Sequence, residues 1–72
     1  MRIIAEYAHP YFKVTVFHWN QRFLIKVEDG SFEQTYKIHE SEITLEEIPE
    51  YLNESFYNKV QDIFLLMNDN LP

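Results

Sequence analysis

The stretch Tyr11–His39, YFKVTVFHW-NQ-RFLIKVE-DG-SFEQTYKIH, contains three runs in which apolar and polar residues alternate. Such alternation is typical of a strand with one buried and one exposed face. Asn20-Gln21 and Asp29-Gly30 separate the runs and predict two-residue hairpin turns. Asp29-Gly30 is the stronger signal, because a type I′ turn needs a positive φ at both central residues and Gln adopts it less readily. The stretch therefore predicts three consecutive antiparallel strands.

A register counted outward from Asn20-Gln21 sorts the side chains by character. The pairs are Trp19–Arg22, His18–Phe23, Phe17–Leu24, Val16–Ile25, Thr15–Lys26, Val14–Val27 and Lys13–Glu28. One face, here the core face, collects Val14, Val16, Phe23, Ile25 and Val27. The opposite face, here the second face, receives the Lys13–Glu28 charge pair and the Trp19–Arg22 pair. A slip of one residue would mix the two sets, so this agreement supports the register.

Two more strands flank this hairpin. A turn at His9-Pro10 would pair the first strand with the second as Tyr7–Phe12, Glu6–Lys13, Ala5–Val14 and Ile3–Val16. Because proline cannot adopt a positive φ, that turn requires a cis Pro10 or a wider loop. After Asp29-Gly30 a fourth strand places Glu33 opposite Lys26, and Arg22 opposite Lys37, which is unfavourable.

The remainder of the chain changes to a helical period. Thr44 and Glu47 match a capping box, and Pro49 lies too deep for an uninterrupted helix, which predicts a short helical turn over residues 45–52. Asn53 is the predicted N-cap of a longer amphipathic helix over 53–68. Its apolar stripe consists of Phe56, Val60, Ile63, Phe64 and Met67.

The predicted fold is therefore a single α+β domain, residues 1–72. It is a four-stranded antiparallel meander with strands near 2–8, 11–19, 22–28 and 32–39, with the helix packed on its core face. We expect Val14, Val16, Phe23, Ile25, Val27 and Phe32 to be buried beneath Phe56, Val60, Ile63 and Phe64.

Charge and composition restrict the function classes. The net charge is −6. Residues 1–39 carry five basic and four acidic side chains, whereas residues 40–72 carry Lys59 against eight acids. This acidic half makes nucleic-acid binding unfavourable, because phosphate neutralisation supplies most of the affinity. The chain has no cysteine and no apolar run of membrane-spanning length. We expect a soluble, cytoplasmic protein.

Enzymatic and metal-binding motifs do not emerge. His9, His18 and His39 fall in a turn, on the core face and on the second face, without HxH or HExxH spacing. Gly30 is the one glycine, so a phosphate-binding loop is not expected. The acidic residues from Glu40 to Glu54 are interpreted as a solvated surface, with recognition of a basic partner as the alternative. We expect no enzyme activity, no cofactor, no metal and no small-molecule ligand.

The second face is the candidate functional surface. The predicted interface consists of Ile4, Tyr11, Phe17, Trp19, Arg22 and Leu24. Exposed apolar patches with Trp, Tyr and Arg are typical of protein interfaces, here a homodimer or a protein partner. Alternatively, the 40–52 segment or the C-terminal tail covers this face. A second hypothesis is single-stranded nucleic-acid binding, with bases stacked on the aromatic rings and phosphates on Arg22 and Lys26. An enzyme with an unrecognised site is the residual hypothesis.

Overall fold

The computed structural model describes all 72 residues and confirms the predicted α+β meander. Four antiparallel strands form one open sheet in the order β1-β2-β3-β4. They are β1 (Arg2–Ala8), β2 (Lys13–Trp19), β3 (Arg22–Glu28) and β4 (Glu33–His39). A 3₁₀ turn (Leu45–Glu47) leads directly into α1 (Ile48–Tyr51), and α2 (Glu54–Asp69) follows. The second and fourth strands thus begin slightly later than predicted.

The central β2–β3 hairpin has the predicted register at every pair, from Trp19–Arg22 to Lys13–Glu28. Asn20 and Gln21 both have positive φ, 54° and 63°, as a two-residue turn of the primed type requires. Val14, Val16, Ile25 and Val27 are consequently all fully buried on the core face.

The predicted β1–β2 register is wrong by two residues. His9 to Phe12 form a four-residue loop with trans peptide bonds, in which the His9 ring stacks on Phe12 at 5.0 Å between centroids. His9 Nδ1 also accepts a hydrogen bond from the Tyr11 N–H (3.2 Å), which stabilises the wider loop. Tyr7 therefore pairs with Val14, and Ala5 with Val16. The expected Glu6–Lys13 charge pair is wrong, because Glu6 lies opposite Thr15.

β1 also contains an irregularity that alternation did not predict. The register shifts between Ile3 and Ala5, so Ile4 occupies a bulge. Beyond the bulge Ile3 lies opposite Phe17 instead of Val16, which puts it on the second face. Ile4 in turn packs against the core. The bulge thus exchanges the expected positions of the two isoleucines.

The predicted Asp29-Gly30 turn is also wrong in length. Asp29 Oδ1 accepts hydrogen bonds from the N–H groups of Ser31 (3.1 Å) and Phe32 (2.8 Å), and Gly30 has φ 106°. This side-chain bonding, typical of Asp in turns, gives a four-residue loop from Asp29 to Phe32.

The β3–β4 register consequently shifts by two residues. Lys26 lies opposite Thr35, and Arg22 lies opposite His39. The expected Arg22–Lys37 repulsion does not arise, because Lys37 lies opposite Leu24. Lys26 nevertheless reaches Glu33 diagonally, with 3.2 Å between Nζ and Oε2.

The helices begin where the sequence predicts. Glu47 Oε1 accepts hydrogen bonds from the Thr44 N–H (3.1 Å) and hydroxyl (2.9 Å). Asn53 Oδ1 accepts from the Phe56 N–H at 2.9 Å and caps α2. Pro49 lies in the first turn of α1, where its missing N–H costs no helical hydrogen bond. The proline therefore divides the predicted 45–52 segment into a 3₁₀ turn and α1.

The helical layer covers the core face of the sheet. The buried core consists of Val14, Val16, Phe23, Ile25, Val27, Ile48, Leu52, Val60 and Phe64. Gln34, the one polar residue on the core face of β4, donates from Nε2 to the Val60 carbonyl at 3.0 Å. Phe32 and Phe56 are half-buried at its margin. The expected burial of Phe32 is therefore only partial. The expectation that Ile63 helps to cover the core is wrong, because it lies at the edge of the helical stripe and is 41% exposed.

The core generates a first prediction. Ile25→Ala removes a fully buried side chain and should lower the free energy of unfolding by about 2–5 kcal/mol. The same substitution at the partly exposed Ile63 is the matched control and should change it by less than about 1 kcal/mol. Urea unfolding followed by circular dichroism measures both. Equal losses at the two positions would contradict the assignment of the core.

Two tyrosines generate a second prediction, on alkaline stability. Burial raises the pKa of Tyr36, with the nearby Tyr51 as a smaller cause. Burial likewise raises the pKa of Tyr57, with a smaller effect of Tyr7. The folded state therefore retains both phenol protons to a higher pH than the unfolded chain does. The free energy of unfolding should fall as the pH rises above about 10.

Urea titrations at several pH values between about 9 and 11 measure this fall. Lys26 also has a raised pKa, caused mainly by its hydrogen bond to Glu33 and next by the Glu28 charge. The stabilisation from Lys26 is also lost as the pH rises. The fall in the free energy of unfolding of the wild type with pH therefore contains contributions from Lys26 and from the two tyrosines. A Tyr36→Phe/Tyr57→Phe variant should therefore have a shallower slope than the wild type. An unchanged slope would show that the two phenols are not the cause.

Candidate interaction surface on the second sheet face

The second face remains uncovered within the chain. The 40–52 segment packs on the core side through Ile43, Ile48 and Leu52, so the alternative in which this segment covers the second face is wrong. The C-terminal Leu71 is 55% exposed. The second face therefore has no helical layer over it, although Thr15 and Leu24 near its centre are only 4% and 7% exposed among their neighbours.

The side chains of this face form four rows across the strands. The rows are Trp19–Arg22–His39, Ile3–Phe17–Leu24–Lys37, Glu6–Thr15–Lys26–Thr35 and Ala8–Lys13–Glu28–Glu33. The first two rows hold the aromatic and large aliphatic residues, whereas the last two are mostly charged. Ile3 is 55% exposed and Trp19 52% exposed. The face is thus divided into an apolar half and a charged half.

A shallow depression lies where the two halves meet. It has a volume of about 210 Å³ and is lined by Met1, Phe17, Leu24, Lys26, Glu33 and Thr35. Leu24 is only 7% exposed, because the surrounding side chains already cover it. A binding partner would therefore meet Met1 and the half-buried Phe17 before it meets Leu24.

The charges of the second face nearly balance. Lys26 lies 3.2 Å from Glu33 and 3.8 Å from Glu28, and the Glu33 hydrogen bond and the Glu28 charge raise the pKa of Lys26. The face as a whole has four basic residues, Lys13, Arg22, Lys26 and Lys37, and three acidic residues, Glu6, Glu28 and Glu33. By contrast, residues 40–72 carry one basic and eight acidic side chains. The acidic excess therefore belongs to the helical layer.

The structure brings together four of the six residues predicted for the interface. Phe17, Trp19, Arg22 and Leu24 share the second face. Ile4 does not, because the bulge turns it to the core. Tyr11 does not either: it is 76% exposed in the β1–β2 loop and lines a cleft with Phe64 of α2.

Sequence reasoning missed two apolar members of the surface, Ile3 and Met1. Ile3 and Ile4 are consecutive and equally apolar, so alternation fits either residue on either face. Only the position of the bulge decides between them, and bulges are not specified by alternation. Met1 precedes the first strand and had no predicted partner. The signal that could have identified these two residues is their position beside Phe17, across the β1–β2 pair.

The helical layer offers two other clefts. One, of about 380 Å³, lies between β4 and α2 and is lined by Tyr36, Tyr51, Asn53, Ser55, Phe56, Lys59 and Ile63. The other, of about 340 Å³, lies between the β1–β2 and β3–β4 loops and α2 and includes Tyr11, Phe12, Phe32 and Phe64. Neither contains a nucleophile paired with a base.

The histidines are engaged separately. His9 stacks against aromatic rings, His18 Nε2 lies 2.7 Å from Glu40 Oε2, and His39 Nδ1 lies 2.8 Å from the Ser41 hydroxyl. Nowhere do three or more His, Asp or Glu side chains converge in a way that could hold a metal ion. None of the helices combines the length and the hydrophobicity needed to cross a bilayer.

The chain was compared with protein-family models, curated proteins and solved structures. No family model matches it, and neither a curated protein nor a solved structure shows significant similarity. The function is therefore inferred from the geometry of the second face.

Proposed function

We propose that the protein is a non-enzymatic, self-associating interaction module whose second sheet face docks on the same face of a second copy. The observation that carries this proposal is the apolar row Ile3–Phe17–Leu24 on the face that has no helical layer, with the exposed side chains of Met1, Ile3 and Trp19 around it. Contiguous exposed apolar residues are characteristic of interaction sites. Two-fold pairing of identical patches is the commonest way in which soluble chains bury them.

Charge favours a second copy as the partner. The second face has four basic and three acidic residues, so two copies can approach through it without strong repulsion. The helical layers, with their acidic excess, would then point away from each other.

Trp19 is the central contact of this dimer. It is 52% exposed and lies two residues from Phe17, at the edge of the apolar half. In a two-fold arrangement the indole ring of each copy can enter the depression of the other, against Phe17 and Leu24. Burying such rings contributes at about 25 cal/mol per Å² of apolar area, less the cost of association.

Single-stranded nucleic-acid binding receives less support. That hypothesis needs Lys26 for phosphate, but Lys26 is already bonded to Glu33 and Glu28. Salt separates the two proposals: nucleic-acid binding would weaken steeply with added salt, whereas apolar association would survive it. A labelled oligothymidylate titrated at low and moderate salt makes that comparison. A cytoplasmic location is part of the main proposal, and fractionation of cells that express the tagged chain tests it.

The third prediction tests the face-to-face dimer. Ile3→Lys introduces a charge at the β1 end of the apolar row, next to Phe17, and should shift the protein towards a smaller assembly. Leu66→Lys is the matched control, because Leu66 is 65% exposed on α2, away from the second face. Light scattering at about 50 µM, a concentration suited to micromolar dissociation constants, measures the mass of each variant.

Trp19 fluorescence is a second measure of the same interface. Its emission should shift to shorter wavelength as the wild-type concentration rises, and the shift should be absent in Ile3→Lys. Tyr11→Ala should leave the shift intact, because Tyr11 lies outside the second face. A concentration-independent emission, or an equal loss of mass in both lysine variants, would overturn the face-to-face proposal.

A further inference from the structure

The free edge of β4 has a defined set of unpaired backbone groups. The Asp29 N–H donates to the Phe32 carbonyl (3.1 Å), and the Glu40 N–H donates to the Gln21 carbonyl (3.0 Å). These bonds show that the even-numbered residues of β4 direct their backbone groups towards β3. Because the direction alternates along a strand, the N–H and C=O groups of Glu33, Thr35, Lys37 and His39 point outward.

β4 is the more suitable of the two sheet edges for pairing with another strand. β1, the opposite edge, contains the bulge at Ile4, which interrupts its regular spacing. β4 pairs regularly with β3 along all seven of its residues and contains no proline. A long regular edge is a template for a further strand.

We propose that β4 pairs antiparallel with β4 of a second copy, with Thr35 of each chain opposite Thr35 of the other. Residues whose backbone groups point outward must lie opposite each other. Only registers that place an odd-numbered residue of one copy opposite an odd-numbered residue of the other are therefore allowed. Among these, the Thr35-centred register places Glu33 of each chain opposite Lys37 of the other. The two-fold axis produces this charge pair twice.

The neighbouring positions agree with the same register. On the core side Phe32 lies opposite Ile38 of the second copy, and both are half-buried apolar residues at the margin of the core. Centring on Glu33 or on Lys37 would place like charges opposite each other, which is destabilising. A register with its two-fold axis at Gln34 or at Tyr36 does not place Glu33 opposite Lys37.

Lys37 is also available for such a pair. It lies opposite Leu24 within its own sheet, and its ammonium forms no salt bridge within the chain. A lone edge lysine commonly prevents strand pairing, because an apolar partner strand cannot accommodate it. Here a copy of β4 supplies the carboxylate. Glu33 can make this contact as well as its bond to Lys26, since its side chain remains 59% exposed.

The cleft between β4 and α2 lies on the same side as this edge. Tyr36 and Ile63 line it, and Tyr36 lies one residue from the proposed two-fold axis. Edge pairing brings the clefts of the two copies together and provides a contact for the exposed Ile63. The core margin thus becomes continuous across the dimer.

This edge interface is separate from the face-to-face dimer, and the Ile3→Lys variant isolates it. Hydrogen exchange followed by NMR is the direct measurement. In that variant at about 500 µM, a concentration that populates even weak dimers, the outward amides of Thr35 and Lys37 should exchange slowly. On dilution they should become fast, while the inward amide of Tyr36 stays protected. Fast exchange of both outward amides at every concentration would overturn the proposal.

Two sets of variants test the register, again on the Ile3→Lys chain. Thr35→Pro removes an outward N–H without removing a β3–β4 hydrogen bond, so the fold should persist while the outward protection is lost. Thr35→Val keeps the N–H and is the matched control. Lys37→Glu should weaken association by about tenfold or more, through two like-charge pairs. Adding Glu33→Lys to Lys37→Glu should restore it. If the double variant associates no better than Lys37→Glu, the Thr35-centred register is wrong.

Discussion

The tight turn at Asn20-Gln21 is the constraint on which the rest of the structure depends. Both residues adopt positive φ, which fixes a two-residue connection between β2 and β3. That connection leaves one register in which Val14, Val16, Ile25 and Val27 share a face and are fully buried. The outer strands and α2 add to this central ribbon. With the ribbon slipped by one residue, α2 would have no apolar surface to cover.

The sequence predicted which face of the sheet each side chain occupies more accurately than it predicted how the strands pair, and particular residues show why. At both outer hairpins the loops are two residues longer than predicted, because His9 stacks on Phe12 and Asp29 bonds the backbone beyond Gly30. A shift by two residues preserves the face of every side chain, so the core strands were still assigned correctly. The bulge at Ile4 shifts the register by one, which is why Ile3 and Ile4 exchanged places in the candidate surface. Alternation cannot detect such a shift between two isoleucines.

Charge is distributed unevenly between the helical layer, which is acidic, and the sheet, which is nearly neutral. The acidic side chains are concentrated in the segment after β4, where the helices expose them on the outer side. The sheet carries nearly balanced charge, with Lys26 held between Glu28 and Glu33. Long-range repulsion between copies is therefore weakest for approaches through the sheet. Both proposed contacts, through the second face and through the β4 edge, use that side of the molecule.

α2 follows all four strands in the chain, and this order has a consequence during synthesis on the ribosome. All four strands are complete before Val60 and Phe64, the helical residues that close the core, have been translated. The nascent sheet therefore exposes apolar side chains on both faces at once, whereas the finished protein exposes them on one. A transcript that ends before α2, or a protease that removes α2, would leave an aggregation-prone sheet with two exposed apolar faces instead of a smaller folded domain. α2 thus covers the core face of the sheet only after the four strands have been synthesised.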